Sequence, residues 1–243
     1  MICIQQIVGE DVILIKELYY VLMKSRFGNV KECKTLIKHQ CVKVNGRYVQ
    51  DVKYLVSMND IIEVDGKKIA WPFVYYMLNK PKGYLSASYD KYSHYILEFF
   101  NHKDCFCLGR LDKDTTGLLL VTNDSSLKFL LLPQNHVEKR YEVIVDKDLE
   151  NDLIQQFLKG IIIDKDVVCL PAKLEILNQR CCLVTICEGK YHQVKKMFLS
   201  CGYVVKDLKR ISFGNLYLDT SLSEGEYREL SFHEICQLEK RGV

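Results

Sequence analysis

The feature that most constrains this sequence is a run of four large aliphatic residues, Leu118-Leu119-Leu120-Val121, that directly follows a polar loop. A short apolar run next to turn residues is typical of a strand that enters a hydrophobic core. Strand candidates lie at about 73–79, 116–122, 140–146, 173–177 and 181–187, and helix candidates lie at 151–158, 191–200 and 231–239. This order predicts an α+β domain with a mixed, largely antiparallel sheet and flanking helices.

The composition excludes several classes of protein. Hydrophobic residues make up 48% of the 243 residues and charged residues 27%, the mixture of an ordinary globular chain. With 4 Pro and 13 Gly, the chain is neither collagen-like nor Pro-rich. Its longest apolar runs fall short of the roughly 18 to 20 residues that a membrane span requires. We therefore expect a folded protein with no membrane partner, and a monomer, because no coiled-coil seam is visible.

The cysteines bear on the cellular compartment more than on chemistry. The sequence has 11 Cys but no Cys-x-x-Cys pair, only Cys105-x-Cys107 and the adjacent Cys181-Cys182. This spacing does not suit zinc, and it predicts no metal site. The start, at residues 1–6, has no basic leader or small-residue cleavage site. We therefore expect reduced, mostly buried thiols in a cytoplasmic protein.

The N-terminal part is small and basic. Residues 15–68 hold 11 Lys and Arg against 6 Asp and Glu. Periodicity predicts helices at about 15–24 and 30–39, and the second would bury Cys33, Leu36 and Ile37. A strand at 42–44 would turn at Asn45-Gly46, a strong hairpin signal, and residues 61–66 repeat the strand-and-turn pattern. The exposed face of the second helix would carry the cations, continued in the following hairpin: Lys31, Lys34, Lys38, Lys43 and Arg47.

This helix-then-hairpin segment resembles the S4 RNA-binding domain over residues 15–68. The resemblance implies that the lysine-bearing helix and the following loop lie along folded RNA, mainly on its phosphates and shape. A solvated helix face is the alternative interpretation of the same lysines. The segment departs from the usual Arg-Leu-Asp opening of S4 domains, since Ile15-Lys16-Glu17-Leu18 occupies that place.

A second cluster of charged residues lies beside the apolar strand, in Gly109-Arg110-Leu111-Asp112. A carboxylate at the mouth of a core can act as a nucleophile if a cation keeps it ionised. The helix at 191–200 offers Lys195, which lies about 110° from the centre of its apolar face, whereas Lys196 points nearly opposite. A turn-capping aspartate and a helix with surface lysines explain the same residues, and periodicity alone does not decide between the two.

Four segments resemble the RsuA-type pseudouridine synthases, in that family's order and spacing. They are Asn79-Lys80-Pro81-Lys82-Gly83, the block from Gly109-Arg110-Leu111-Asp112 to Thr122-Asn123-Asp124, Lys139-Arg140-Tyr141, and residues 188–197. The resemblance implies that Asp112 is the catalytic aspartate, that Tyr141 stacks on the target base and that Lys195 pairs with the aspartate. It also implies that Arg110 holds the RNA or the space left by the flipped nucleotide, while Lys190 and Lys196 face solvent or RNA. Two departures are Ser125 in place of Gly and Lys195 where many relatives carry Arg.

The resemblance implies isomerisation of a ribosomal RNA uridine to pseudouridine, with no cofactor. It is closest to the branch that acts on uridine 516 of 16S rRNA, as free RNA or in an assembling small subunit. Alternatives are a synthase acting on 23S rRNA and a non-catalytic S4-type assembly factor. Attack by Asp112 at C6 of the base and at C1′ of the ribose both stay open. The chain would comprise an S4-like domain at 1–68, a linker at 69–73 and a catalytic domain of the pseudouridine synthase fold at 74–243.

Overall fold

The computed structural model describes residues 5–8, 11–102 and 104–239, which form two compact units. The N-terminal unit extends to Val74 and also includes residues 231–239. The C-terminal unit extends from Tyr75 to Leu230. Residues 1–4 of the segment interpreted as leader-free lie outside the described residues. Within the described ranges, no helix is both long enough and apolar enough to cross a bilayer.

The N-terminal unit contains two helices and two small antiparallel sheets, with strand orders β1-β2-β5 and β4-β3-β6-β7. Its elements are β1 (Gln5–Val8), β2 (Asp11–Glu17), α1 (Leu18–Lys24), α2 (Val30–Lys38), β3 (Val42–Val44), β4 (Arg47–Tyr48), β5 (Leu55–Ser57), β6 (Ile62–Val64) and β7 (Lys67–Ile69). The first predicted helix is therefore shorter than expected, because residues 15–17 extend strand β2.

Local sequence signals explain α2 and the hairpin after it. The Asn29 side chain accepts hydrogen bonds from the amides of Lys31 and Glu32, and Glu32 bonds back to Asn29 in a capping box. Asn45 and Gly46 take φ angles of 50° and 78°, the left-handed pair that a two-residue hairpin of this type requires. The second predicted helix and the hairpin are thus confirmed.

The boundaries of the units differ from those expected from sequence. In the segment interpreted as a linker, Phe73 is buried, and its ring lies 5.2 Å from that of Tyr20 and 5.5 Å from that of Trp71. The last helix, α5 (Phe232–Glu239), contacts β2 and groups with the N-terminal unit, whereas the sequence-based expectation places it in a domain at 74–243. Sequence patterns identify an amphipathic helix but not the unit against which its apolar face packs.

The C-terminal unit is built on one large mixed sheet. Its elements are β8 (Tyr75–Lys80), β9 (Phe106–Leu108), β10 (Thr116–Thr122), β11 (Lys139–Val145), α3 (Asp152–Lys159), β12 (Ile162–Ile163), β13 (Val167–Val168), β14 (Lys173–Ile176), β15 (Cys181–Ile186), α4 (Gln193–Ser200), β16 (Val205–Phe213), β17 (Leu216–Tyr217), β18 (Tyr227–Glu229) and three 3₁₀ segments, Ile96–Phe99, Ser125–Leu131 and Pro133–Asn135. The sheet has the order β14-β15-β11-β16-β10-β8-β18, with β9 beside β10 and β17 beside β16. The predicted α+β class with a mixed sheet is confirmed.

The centre of this sheet is the pair β10 and β16. All seven residues of β10 are buried, as its apolar sequence predicts. Within the described residues, β10 and β16 form the one parallel pair of the sheet, and Gly117 lies opposite Arg210. Gly117 has φ of 97°, and a Cβ there would collide with the backbone carbonyl of Arg210. Glycine at this position therefore lets the two central strands meet.

The ten cysteines that the structure describes all carry free thiols. Cys33 of the N-terminal unit and Cys182 of the C-terminal unit are 0% exposed. Burial raises the pKa of both thiols, and that of Cys182 reaches about 12. These thiols therefore behave as small apolar groups at neutral pH.

Candidate active site

The loop that carries Asp112 is held on both sides by one preceding segment of the chain. The Ser86 hydroxyl donates to the carbonyl of Leu111 (2.9 Å) and accepts from the Leu111 amide (3.0 Å). On the other side, the Lys80 ammonium donates to the carbonyls of Lys113 (3.3 Å) and Thr115 (2.8 Å). Asp112 is thus presented from a fixed turn rather than from a free loop.

Lys80 belongs to the motif at residues 79–83 and has no predicted role in it. Its side chain is 0% exposed, and burial lowers its pKa to about 8, against the opposing effect of Asp114 and Asp112. A buried ammonium is retained only if hydrogen bonds replace its water, and here backbone carbonyls do so. The signal that could have indicated the burial of Lys80 is its position at the end of β8, a strand whose six residues are all buried.

Helix α4 brings a cation to Asp112. Lys195 Nζ lies 3.0 Å from Asp112 Oδ2 and 2.5 Å from Asp114 Oδ1. Burial acts to lower the pKa of Lys195, but its bonds to Asp114 and Asp112 outweigh burial and raise it. The ammonium therefore stays charged between two carboxylates. The contact between Lys195 and Asp112 corresponds to the pairing that the family resemblance implies, whereas no sequence pattern indicates the second contact, with Asp114.

His192 is a further neighbour of Asp112, and the sequence patterns did not indicate it. Its Nε2 atom lies 3.6 Å from Asp112 Oδ1, and its ring stacks on Tyr191 with centroids 3.9 Å apart. The residue adopts a left-handed backbone conformation, with φ of 54°, just before α4 begins. This backbone geometry turns the imidazole towards the aspartate, and no periodicity argument would have indicated it.

Asp112 opens into a cavity of about 600 Å³. Tyr141, on β11, lines the cavity and is 7% exposed. Arg110 lines it as an exposed side chain, and among the described residues it has no hydrogen-bond or ion-pair partner. Lys195 is not part of the lining, and its ion pair with Asp112 places it beside the cavity. The structure thus places Asp112, Tyr141 and Arg110 around one cavity, and their implied roles stay predictions.

Two lysines expected to face solvent or RNA are instead paired with carboxylates. Lys190 forms an ion pair with Glu188, which also accepts hydrogen bonds from the Leu170 amide (2.9 Å) and the Gln193 side chain (2.7 Å). Lys196 Nζ lies 2.5 Å from Asp164 Oδ2. Both lysines are half-buried, so their charges are partly neutralised within the protein. Their predicted contact with RNA stays a prediction.

The cations of the N-terminal unit are more accessible. Lys31, Lys38 and Arg47 are exposed, and Lys34 and Lys43 lie over the rings of Tyr19 (4.4 Å) and Tyr48 (4.6 Å). None of these five cations has an ion-pair partner in the part of the chain that the structure describes. A row of uncompensated cations with aromatic rings between them suits a nucleic-acid backbone.

Comparison with known proteins identifies the class to which this fold and cavity belong. Residues 74–200 match the family model described as RNA pseudouridylate synthase, and residues 18–62 match the S4 domain. A crystal structure of a pseudouridylate synthase superposes with a TM-score of 0.66 at 35% identity, covering 91% of this chain and 98% of that one. The chain therefore belongs to the RNA pseudouridylate synthase family and carries an S4 domain.

Curated relatives give the particular members that the chain is similar to. It is 38% identical to an uncharacterized RNA pseudouridine synthase of Bacillus subtilis, covering 88% of this chain and 95% of that protein. It is 38% identical to the ribosomal small subunit pseudouridine synthase A of Haemophilus influenzae, covering 84% and 91%. The Escherichia coli protein of the same name is 36% identical, covering 83% and 90%. These matches span both units of the chain.

Proposed function

We propose that this protein isomerises one uridine of ribosomal RNA to pseudouridine, and that its target is uridine 516 of 16S rRNA. The observation that carries the proposal is the Asp112 carboxylate, held 3.0 Å from Lys195 at the wall of a cavity lined by Tyr141. Relatives named for the small ribosomal subunit, which match both units, support the choice of RNA. The absence of an apolar spanning helix from the described residues and the free thiols fit a cytoplasmic protein, which we expect to be a monomer.

Each side chain of the cavity has a role in this proposal. Asp112 is the nucleophile, and the Lys195 ammonium lies beside it as a fixed positive charge. The ring of Tyr141 supports the uracil that has left the RNA stack, at a cost of a few kcal/mol for unstacking. Arg110 binds the RNA near the vacated position. The uncompensated lysines of the N-terminal unit bind phosphates and so hold the substrate without reading its bases.

The reaction that these groups perform is balanced without any co-reactant. The bond between N1 of uracil and C1′ of ribose breaks, the base turns, and a bond between C5 and C1′ forms. C5 then loses its proton, and N1 gains one, so the product is an isomer. Addition of Asp112 to C6 and attack at C1′ both use the same carboxylate and the same neighbouring cation.

The test is to treat unmodified 16S and 23S rRNA with the purified protein and map pseudouridine by carbodiimide modification and primer extension. A single stop at uridine 516 of 16S rRNA is the expected result. A single stop in 23S rRNA would keep the reaction and overturn the proposed substrate. If neither free RNA is modified, a small-subunit assembly particle is the next substrate, and failure there would favour an S4-type assembly factor without catalysis.

A further inference from the structure

Besides Lys195, which pairs with Asp112, the cavity region has a second cationic site. It is formed by Arg210 of β16 and Lys139 of β11. Both residues line the cavity, and Arg210 lies opposite Tyr141 in the register of the two strands. Arg210 is 1% exposed, and its Nε donates to the carbonyl of Leu118 at 2.7 Å. Its Nη2 atom is buried and has no partner among the described residues. A buried donor without an acceptor is costly, and this cost suggests that a ligand supplies the acceptor.

Lys139 adds a second uncompensated charge to the same wall. Its Nζ donates to the carbonyl of Val137 at 2.6 Å. Burial and the nearby Arg210 lower its pKa to about 8, while Cys187 and Glu188 act weakly in the other direction. Neither Lys139 nor Arg210 has an ion-pair partner in the described part of the chain, and Glu188 is paired with Lys190. Two like charges are thus held together where only an anionic or strongly polar ligand would relieve their repulsion.

The position of this pair indicates which part of the substrate it meets. Asp112 is half-buried near the exposed Arg110, whereas Tyr141 and Arg210 are 7% and 1% exposed. Arg210 therefore belongs to the most enclosed part of the cavity wall. A flipped nucleotide enters such a site base first, and its phosphates stay near the surface. The groups on uracil that accept hydrogen bonds are its two carbonyl oxygens.

We propose that Arg210 and Lys139 bind a carbonyl oxygen of the flipped uracil and stabilise the negative charge that develops on it; this rests on the proposed function. Addition of Asp112 to C6 moves the pair of the C5–C6 double bond onto C5 and O4. Attack at C1′ leaves the pair of the broken bond on N1, where the ring shares it with O2. In both routes charge accumulates on a carbonyl oxygen, and preorganised cations stabilise such charge strongly.

The first test is the pH dependence of single-turnover product formation at saturating RNA. Lys139 is charged below pH about 8, so its contribution is present there and is lost as pH rises through that value. Lys139→Met should lower the rate by about 10²-fold at pH 7. Lys139→Arg should keep most of the rate at pH 7, because the guanidinium carries the same charge. Lys173→Met, an exposed lysine of β14, is the matched control and should resemble the wild type.

Lys80 loses its charge in the same pH range, so the decisive quantity is the ratio of the wild-type rate to the Lys139→Met rate, in which the effect of Lys80 cancels. This ratio should fall as pH rises through about 8. A ratio that does not change with pH, or equal rates of the two proteins at pH 7, would overturn the proposal. Arg210→Lys, which keeps one charge but loses the fork, should fold and show a lower kcat with little change in KM.

The second test identifies the oxygen. RNA carrying 2-thiouridine or 4-thiouridine at the target replaces one carbonyl oxygen by sulfur, a poorer acceptor. The wild type should be slowed by one of these substitutions, and Lys139→Met should be slowed less. If both proteins are slowed equally by both, the cations act elsewhere, for example on a phosphate, and the proposal is wrong. If the wild type modifies no ribosomal RNA, the proposed function fails separately. Weaker binding of uridine, which has no phosphate, by Lys139→Met in NMR titrations would then support the uracil contact, and equal binding would exclude it.

Discussion

Replacement of Lys195 by Met removes the cation beside Asp112 while keeping the length of the side chain. Two unit charges 3.0 Å apart attract each other by about 1.4 kcal/mol in water and by about 5.5 kcal/mol at an effective dielectric constant of 20. The side chains are 22% and 25% exposed, and Asp114 shares the ammonium, so a value of about 3 kcal/mol lies between these limits. If this energy keeps the carboxylate reactive, kcat should fall by about 10²-fold.

The assay follows release of tritium from C5 of labelled uridine under single-turnover conditions at saturating RNA. Lys195→Arg should stay within about tenfold of the wild type, because the charge is kept and only its geometry changes. The matched control is Arg180→Met, which breaks an ion pair with Asp148 of the same 3.0 Å length on the exposed surface. Thermal unfolding of each variant separates a local effect from loss of the fold. A Lys195→Met enzyme slowed less than threefold, or no more than Arg180→Met, would refute this reasoning.

Three further predictions concern the nucleophile, RNA binding and the junction of the central strands. Asp112→Asn should abolish product formation yet leave RNA affinity in filter binding nearly unchanged; retained activity would remove Asp112 from its role. Replacing Lys34 and Lys38 together by Ala should weaken RNA binding and reduce the slope of log affinity against log salt by about 1.5, with kcat unchanged. An unaltered slope would mean that these lysines only face solvent. Gly117→Ala should lower the free energy of unfolding by about 2–5 kcal/mol in urea denaturation. The control is Gly83→Ala, at φ of 88° with open space around it, which should lower the free energy of unfolding by about 1 kcal/mol. Equal losses would contradict the close approach of Gly117 to Arg210.

Much of the fold was accessible from the sequence because its signals are local. The buried strand β10 follows from its continuous apolar run, and the N-terminal hairpin follows from Asn45-Gly46. Helices predicted at 151–158, 191–200 and 231–239 are observed as Asp152–Lys159, Gln193–Ser200 and Phe232–Glu239. In each case, the information that decides the structure lies within a few residues of the element itself.

The largest omission is β16, a nine-residue strand at the centre of the sheet. Its sequence, Val205 to Phe213, carries four charged side chains, so it does not have the apolar pattern of a central strand. Arg210 is tolerated there because the Leu118 carbonyl accepts its Nε, a contact between residues 92 positions apart. Because the sequence pattern does not predict β16, it also does not indicate Arg210, the residue on which the second cationic site depends.

The site residues likewise divide into those that local motifs indicate and those whose contacts depend on distant segments. Asp112, Tyr141 and Lys195 were accessible through motifs, and the structure brings them to one region, although their catalytic roles stay predictions. Lys80 and Asp114 were not recognised, because their partners come from distant segments whose convergence no single-sequence pattern records. A lysine bonded to three backbone carbonyls looks, in sequence, the same as a lysine in solvent.

The buried thiols give each unit its own chemical reporter of opening. Burial raises the pKa of Cys182 to about 12, so very little reactive thiolate is present at pH 7.5, and the thiol has no access to reagent while the sheet is closed. Opening restores an ordinary thiol, so the rate of alkylation measures how often the strand is exposed. Cys33 supplies the same readout in the N-terminal unit, where it lies on the buried face of α2. Mass spectrometry of alkylated peptides would then yield a separate opening free energy for each unit from one native sample, without any denaturant.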